Sequence, residues 1–159
     1  MGPSCELKLA PARVARVVTT TPVNCSIAAT TDVVGDRWTL LILRTIFRGH
    51  HRFNDIADDV GIARNLLSDR LTRLVDADVI ERVPYQDRPL RHEYRLTAKG
   101  VDLSPALIAL MHWGDRWYAD DGPPVELYHD RCGCRLELSV RCAACDEPVG
   151  PTHIASRHP

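Results

Sequence analysis

The 159-residue chain has no long hydrophobic run, no excess of charge of either sign and almost no lysine. No apolar stretch approaches the roughly 18 residues that a membrane-spanning helix needs, and the N-terminus lacks the order of a signal peptide. We therefore expect a cytoplasmic protein with no membrane partner. The net charge of −1 excludes a bulk attraction to nucleic acid, so any such attraction must be local.

The composition is that of an ordinary globular protein. Hydrophobic residues at 45% and charged residues at 26% exclude wholesale disorder and predict one domain with an appendage. Among the 20 basic residues only Lys8 and Lys99 are lysines. Guanidinium groups match phosphates and guanine edges well, although a composition bias of the source genome accounts equally for the excess of arginine.

Short helices separated by glycines are predicted from Cys25 onwards. Residues 25–34 form the first, which Gly35 ends. Asp36 caps the second, residues 37–47, which is apolar nearly all round and is therefore the central buried helix.

A helix-turn-helix pattern follows. Asn54 is a good N-cap for a short helix over residues 55–60, closed by Gly61, and a longer helix runs from about Ala63 to Ala77. The inner face of the longer helix carries three leucines at i, i+4 and i+7, namely Leu67, Leu71 and Leu74. Its opposite face is polar and faces solvent or a ligand.

A β-hairpin and a last helix complete the pattern. Strands over residues 79–83 and 93–96 flank a turn-rich segment, which predicts a hairpin with a long tip, the wing of a winged helix. The fold class is thus mainly α with a small β-hairpin. Thr97 caps a final helix that Pro105 bends or restarts.

Trp113 and Trp117, four residues apart, share one face of this last helix, where a small winged-helix domain offers no partner, so a homodimer would bury them. Four segments are expected, namely a flexible N-terminal arm (1–22), a winged-helix and dimerisation domain (23–120), a cysteine-rich zinc-ribbon-like module (125–150) and a flexible tail (151–159).

Several separate motifs appear in an order that resembles the HxlR-type winged-helix transcriptional regulators of bacteria. They are Cys25, residues 36–44 (DRWTLLILR), Arg52-Phe53, residues 67–71 (LSDRL) and residues 89–100 with EYRLT and Gly100. The resemblance implies a homodimer, built from the first and last helices, that binds a two-fold-symmetric operator and controls nearby genes. Some members of the family sense oxidants or electrophiles through a cysteine at the position of Cys25. Asp78 stands where the family usually has glycine, and Ala63 or Arg64 replaces a common proline.

Local basic charge falls on the two elements that a winged helix presents to DNA. Residues 63–73 and residues 82–95 each carry a net charge of +2. The predicted groove or phosphate contacts are Arg64, Asn65, Ser68 and Arg73 from the helix, with Arg88 and Arg91 from the wing tip. Arg70 leans towards the core side, which favours a structural or phosphate-positioning role. The alternative for each residue is an ordinary solvated charged face.

Four of the six cysteines lie close together near the C-terminus, as Cys132, Cys134, Cys142 and Cys145. If the strand-like stretch 135–141 lets the chain fold back as a hairpin, four sulfurs would surround a tetrahedral structural Zn²⁺. His129 could replace Cys134, because the CxC spacing is tighter than usual. A module of about 25 residues needs such a metal, since it cannot bury enough surface. Disulfide or redox-switching thiols, and unpaired thiols, are the alternatives.

Cys25 is the candidate redox sensor, since a helix N-terminus lowers the pKa of a thiol and makes it more nucleophilic. The alternative is a buried cysteine that packs as a small hydrophobe. The predicted function is a sequence-specific DNA-binding regulator, taken to be a repressor, with a small-molecule or electrophile effector as a further partner. The alternative is a zinc-stabilised protein-interaction module. No phosphate loop, nucleophile elbow or paired carboxylates indicate an enzyme.

Overall fold

A computed structural model describes residues 25–157, and these divide into two compact units, 25–102 and 103–157. The predicted N-terminal arm (1–22), Cys5 and the last two residues lie outside the described part. The fold is mixed α+β, as predicted, with the elements α1 Ser26–Val34, α2 Arg37–Phe47, α3 Phe53–Val60, α4 Arg64–Asp76, β1 Ile80–Asp87, β2 Leu90–Leu96, α5 Ala98–Val101, α6 Ser104–Tyr118 and a 3₁₀ turn Pro151–His153. Between residues 25 and 157 no helix is long and apolar enough to cross a membrane.

The core of the first unit lies between α2, α3 and α4. Burial of an aliphatic side chain of this size stabilises a fold by roughly 1.5–3 kcal/mol, so this set holds the unit together. The side chains that are no more than 1% exposed include Ile42, Leu43, Ile46, Ile56, Leu67, Leu71 and Leu74. The predicted inner face of α4 is therefore confirmed.

Asp36 begins α2, as predicted, and also ties α2 to α4. Its Oδ1 accepts hydrogen bonds from the backbone N–H groups of Trp38 (3.1 Å) and Thr39 (3.2 Å). The same oxygen accepts from Nε of Arg70 at 3.2 Å. Burial raises the pKa of Asp36, but the hydrogen bonds from Thr39 and Arg70 outweigh it and hold the pKa below its ordinary value.

The predicted start of α3 is wrong. The helix begins at Phe53, with Arg52 as its N-cap and no side-chain cap hydrogen bond. Asn54 therefore lies inside the first turn, where its side-chain oxygen accepts from Nη1 of Arg64 at 2.7 Å. The Asn54 side-chain oxygen, which the prediction assigned to the helix cap, is thus hydrogen-bonded to Arg64 instead.

The wing differs from its prediction in length. Strands β1 and β2 pair antiparallel almost to the end, so the tip is the two-residue loop Arg88-Pro89 rather than a long one. The register shifts between Pro84 and Gln86, which leaves Tyr85 as an extra residue in β1. Pro84 lacks an N–H donor, and the bulge accommodates it within the strand.

The predicted final helix is two helices. Thr97 caps α5, and its hydroxyl oxygen accepts from the N–H of Gly100 at 3.1 Å. Gly100 packs so tightly on the carbonyl of Val79 that a Cβ at this position would clash with it. Helix α6 then starts at Ser104, with Pro105 in its first turn, where the missing N–H has no partner to lose.

The second unit has little core of its own. None of the side chains described between residues 103 and 157 is buried, including those of the 15-residue α6. The predicted strand over residues 135–141 is wrong, because only isolated bridges form, Tyr128 with Arg135 and Arg141 with Pro148. Each bridge closes its own tight turn, so the chain does not build one hairpin.

Candidate nucleic-acid interface

Helix α4 presents a polar face to solvent. Its N-terminal half carries the predicted contact residues Arg64, Asn65 and Ser68, and Arg73 follows in the last turn; all four are exposed. The leucines of the opposite face are fully buried, so α4 cannot rotate without opening the core. The polar face is thereby held in a fixed orientation, as a helix that reads a DNA groove requires.

Arg64 and Arg70 are held by neighbouring groups. Arg64 donates to Asn54 and lies over the ring of Phe53, 6.0 Å from its centroid, so the start of α4 is anchored to α3. The side chain of Arg70 is only 19% exposed and pairs with Asp36 and Asp69. The structure places Arg70 between α4 and α2, where it braces the helices.

The arginines of residues 25–102 differ in whether a carboxylate or an aromatic ring lies against the guanidinium group. In residues 25–102, carboxylates pair with Arg44, Arg48, Arg70 and Arg95. Aromatic rings lie beneath Arg37, Arg52, Arg64 and Arg82. Within this unit, the guanidinium groups with neither kind of partner belong to Arg73, Arg88 and Arg91, one on α4 and two at the wing tip.

The wing tip is short and exposed. Arg91 pairs across the hairpin with Gln86, and Arg88 lies in the two-residue loop itself. The side chain of Gln86 donates to the carbonyl oxygen of Arg88 at 2.9 Å, which fixes the loop backbone. The two guanidinium groups therefore extend from an ordered turn.

A buried polar contact that the sequence did not reveal joins α2 to α3. The hydroxyl of Thr45, which is fully buried, lies 2.5 Å from Oδ2 of Asp59. Arg44 and Arg48 pair with the same carboxylate. The Thr45 hydrogen bond and the Arg44 guanidinium hold the pKa of Asp59 below its ordinary value, against the opposing effect of burial. Thr45 sits in an apolar helix, so no local pattern could have indicated this contact.

Cys25 is the N-cap residue of α1 and is half-buried. Its side chain makes no cap hydrogen bond, while its carbonyl accepts from the N–H of Ala29 at 3.0 Å. Cys25 thus stands at the start of α1, with part of its surface open to solvent.

The C-terminal cysteines lie in two separate turns. No disulfide joins the cysteines that the structure describes. Nδ1 of His129 is 3.1 Å from Sγ of Cys132, but nowhere in residues 25–157 do three or more metal-binding side chains converge. Backbone N–H groups of Cys145 and then Ala144 lower the pKa of the Cys142 thiol, and the N–H of Cys134 lowers that of Cys132.

Comparison with known proteins gives consistent matches. Residues 33–121, more than half of the chain, match the model of the HxlR-like helix-turn-helix family. An HTH-type transcriptional regulator of Mycobacterium tuberculosis is 45% identical over 130 residues, which cover 81% of this chain and 82% of the relative.

Two solved structures extend the comparison. PA1607, described as a transcription factor, is 34% identical with a TM-score of 0.79, covering 87% of this chain and 97% of its own. The oxidised form of the redox regulator HypR is 28% identical with a TM-score of 0.55, covering 58% and 96%. These proteins are described as regulators, not as enzymes.

Proposed function

Because the chain belongs to the HxlR family of helix-turn-helix transcriptional regulators, we propose that it binds a two-fold-symmetric operator as a homodimer and represses the adjacent genes. The assignment of the DNA contacts is supported by the distribution of partners among the arginines. Arg73, Arg88 and Arg91 have neither carboxylates nor aromatic rings against them in residues 25–102. A guanidinium that is already ion-paired must lose its partner before it binds a phosphate, whereas these three need not.

The assignment of contacts follows from the two surfaces. Asn65 and Ser68, with Arg64 beside them, enter the major groove from the first turns of α4, where side chains reach base edges. Arg73 binds a phosphate at the groove wall. Arg88 and Arg91 reach the phosphates or the minor groove beside it. Arg70, braced by Asp36, positions the helix rather than reading a base.

The homodimer is supported by the apolar surface that α6 leaves uncovered in the second unit. Four large side chains on this helix are more than half exposed, namely Leu110, Trp113, Trp117 and Tyr118. In the first unit, Ile27 of α1 is 75% exposed. In each unit, exposed large apolar side chains of this kind are typical of a contact between subunits. We assign a second copy of the chain as its partner, because a palindromic operator requires two identical recognition helices.

A response to oxidants or electrophiles is assigned to Cys25. The redox regulator HypR is among the solved structures that this chain resembles. The Cys25 thiol adds to an activated double bond such as that of an enone, so that sulfur bonds to one carbon and the proton goes to the electrophile. The added group at the start of α1 disturbs the helix that the dimer uses, and affinity for the operator falls.

The DNA contacts are tested by selecting bound fragments from sheared source-genome DNA with purified, reduced protein. We expect an inverted repeat with half-sites about one helical turn, or 10 base pairs, apart. On that operator, Arg73→Ala should weaken binding by about 10- to 100-fold and reduce the slope of log affinity against log salt by about 1.

Arg48→Ala is the matched control, since it removes an exposed arginine of the same unit that is paired with Asp59. It should leave affinity and salt slope unchanged. If no inverted repeat is enriched, and Arg73→Ala and Arg88→Ala bind DNA as the parent does, the protein-interaction module becomes the better interpretation.

A further inference from the structure

Residues 127–136 and 140–149 form two turns with the same backbone hydrogen-bond pattern. In each turn four contacts recur with an offset of 13 residues, three N–H to O=C bonds and one bridge. In the first turn the N–H groups of Leu136, His129 and Gly133 donate to the carbonyl oxygens of Leu127, Cys134 and His129, and the bridge is Tyr128–Arg135. In the second turn the N–H groups of Val149, Cys142 and Asp146 donate to the carbonyl oxygens of Val140, Glu147 and Cys142, and the bridge is Arg141–Pro148.

The backbone angles repeat as well. Gly133 has φ of 67° and Asp146 has φ of 56°, and each follows directly after a cysteine, at the same place in its turn. A left-handed residue there reverses the chain, so that the carbonyl oxygen two residues after the cysteine accepts from the N–H of the residue three positions before it. The two segments are one structural unit used twice.

Matching the turns residue by residue pairs the metal-binding side chains. Cys132 corresponds to Cys145, and His129 corresponds to Cys142. Cys134 corresponds to Glu147, and in both turns the residue at this place accepts a hydrogen bond through its backbone carbonyl oxygen. The thiol of Cys134 is directed to the carbonyl oxygen of Cys132, at 3.8 Å. The repeat therefore selects one donor pair from each turn, and Cys134 belongs to neither pair.

Each donor pair lies within one turn. Nδ1 of His129 lies 3.1 Å from Sγ of Cys132. Cys142 and Cys145 occupy the matching positions of the second turn, which the N–H of Asp146 closes on the carbonyl oxygen of Cys142 at 2.9 Å. The other ring nitrogen of His129 faces Oδ1 of Asp130 at 3.8 Å. At this distance the two are not hydrogen-bonded, but the carboxylate lies on the side where a metal-binding histidine donates its second N–H.

We propose that the two turns together bind one structural Zn²⁺ through Nδ1 of His129 and the sulfurs of Cys132, Cys142 and Cys145. One nitrogen and three sulfurs form a complete tetrahedral set for zinc and leave no open position for a substrate. The need for an ion follows from the burial: none of the side chains described in this unit is buried, so the turns have no core to hold them. Each turn supplies two of the four donors, and binding of the ion brings the two pairs together.

The test uses the full-length chain, expressed and purified under reducing conditions, with zinc measured by elemental mass spectrometry. We expect one zinc per chain in the parent and in Cys134→Ser, and less than a tenth of that in His129→Ala and in Cys142→Ser. Zinc retained by His129→Ala and lost by Cys134→Ser would instead establish the four-cysteine set. A reduced, folded parent without zinc, even after incubation with the metal, would overturn the site altogether.

A second measurement does not depend on the folding of the variants. Alkylation of the zinc-loaded parent, mapped by peptide mass spectrometry, should label Cys134 and spare Cys132, Cys142 and Cys145 until a chelator is added. Equal labelling of all four cysteines would contradict the proposal. Protection that persists with the chelator and ends only with a reductant would indicate disulfides in place of zinc.

Discussion

Replacing Asp36 by alanine removes the N-cap of α2 and the brace that ties α2 to α4. The cap accepts two backbone hydrogen bonds, from Trp38 and Thr39, and its loss costs about 1 kcal/mol of stability. The pair with Arg70 adds less than a buried one would, because the Asp36 side chain is 39% exposed, and we assign it about 0.5–1 kcal/mol. Asp36→Ala should thus lower the free energy of unfolding by about 1.5–2 kcal/mol.

Asp36→Asn separates the two contributions. Asparagine caps a helix about as well as aspartate but cannot form the ion pair, so only the smaller loss should remain. Since the pKa of Asp36 is lowered in the fold, its charge stabilises the native state above its unfolded pKa, which is about 3.9. This stabilisation is lost as the pH falls through the lower, folded pKa.

Urea unfolding followed by helical circular dichroism, at one fixed protein concentration, measures both effects. At pH 7 the order of stability should be parent, Asp36→Asn, Asp36→Ala, and the gap between parent and Asp36→Asn should close towards pH 3. A loss below about 0.5 kcal/mol in Asp36→Ala would refute the capping argument. A difference in stability between parent and Asp36→Asn that does not change with pH would refute the contribution of the ion pair.

Three further outcomes are expected. Asp78→Gly should stabilise the chain by about 0.5 kcal/mol in the same assay, because Asp78 has φ of 56°, whereas Asp78→Ala should destabilise it. Trp117→Glu should convert the dimer to a monomer in sedimentation at micromolar concentration, and a dimer that survives would exclude α6 from the interface. Treatment with an enone should release the parent and Cys5→Ser from the operator but not Cys25→Ser; equal release of all three would remove Cys25 as the sensor.

Local patterns predicted the parts of the fold that depend on local physics. The bounds of α2 follow from its cap and its apolar residues, and the buried leucines of α4 follow from their spacing. The prediction that α2 is buried nearly all round was too broad, because only one of its faces is buried. The start of α3 could not be predicted, because Asn54 is engaged by an arginine from the next helix. Asp78 adopts the left-handed conformation expected of a residue that stands in place of glycine after α4.

For the candidate sites, the sequence indicated residue types and elements but not partners. Helical position separated Arg70, on the core side of α4, from Arg73, but it could not reveal that Asp36, 34 positions away, is the partner of Arg70. The two C-terminal turns share a single identical residue at matched positions, the cysteine pair Cys132 and Cys145. Their equivalence is a property of backbone hydrogen bonds, and it becomes visible only when the chain is folded.

The extra residue in β1 determines which way the wing tip faces. Side chains alternate between the two faces of a strand, and Tyr85 reverses that alternation between the base of the hairpin and its end. The bulge is confined to β1, so β2 keeps its alternation and the direction of Arg91 is set by its own strand. Arg88 follows the bulged strand, and its direction depends on the extra twist that the bulge adds to β1. A wing with the same arginines but without Tyr85 would lack that twist, and the Arg88-Pro89 loop would leave the hairpin in a different direction.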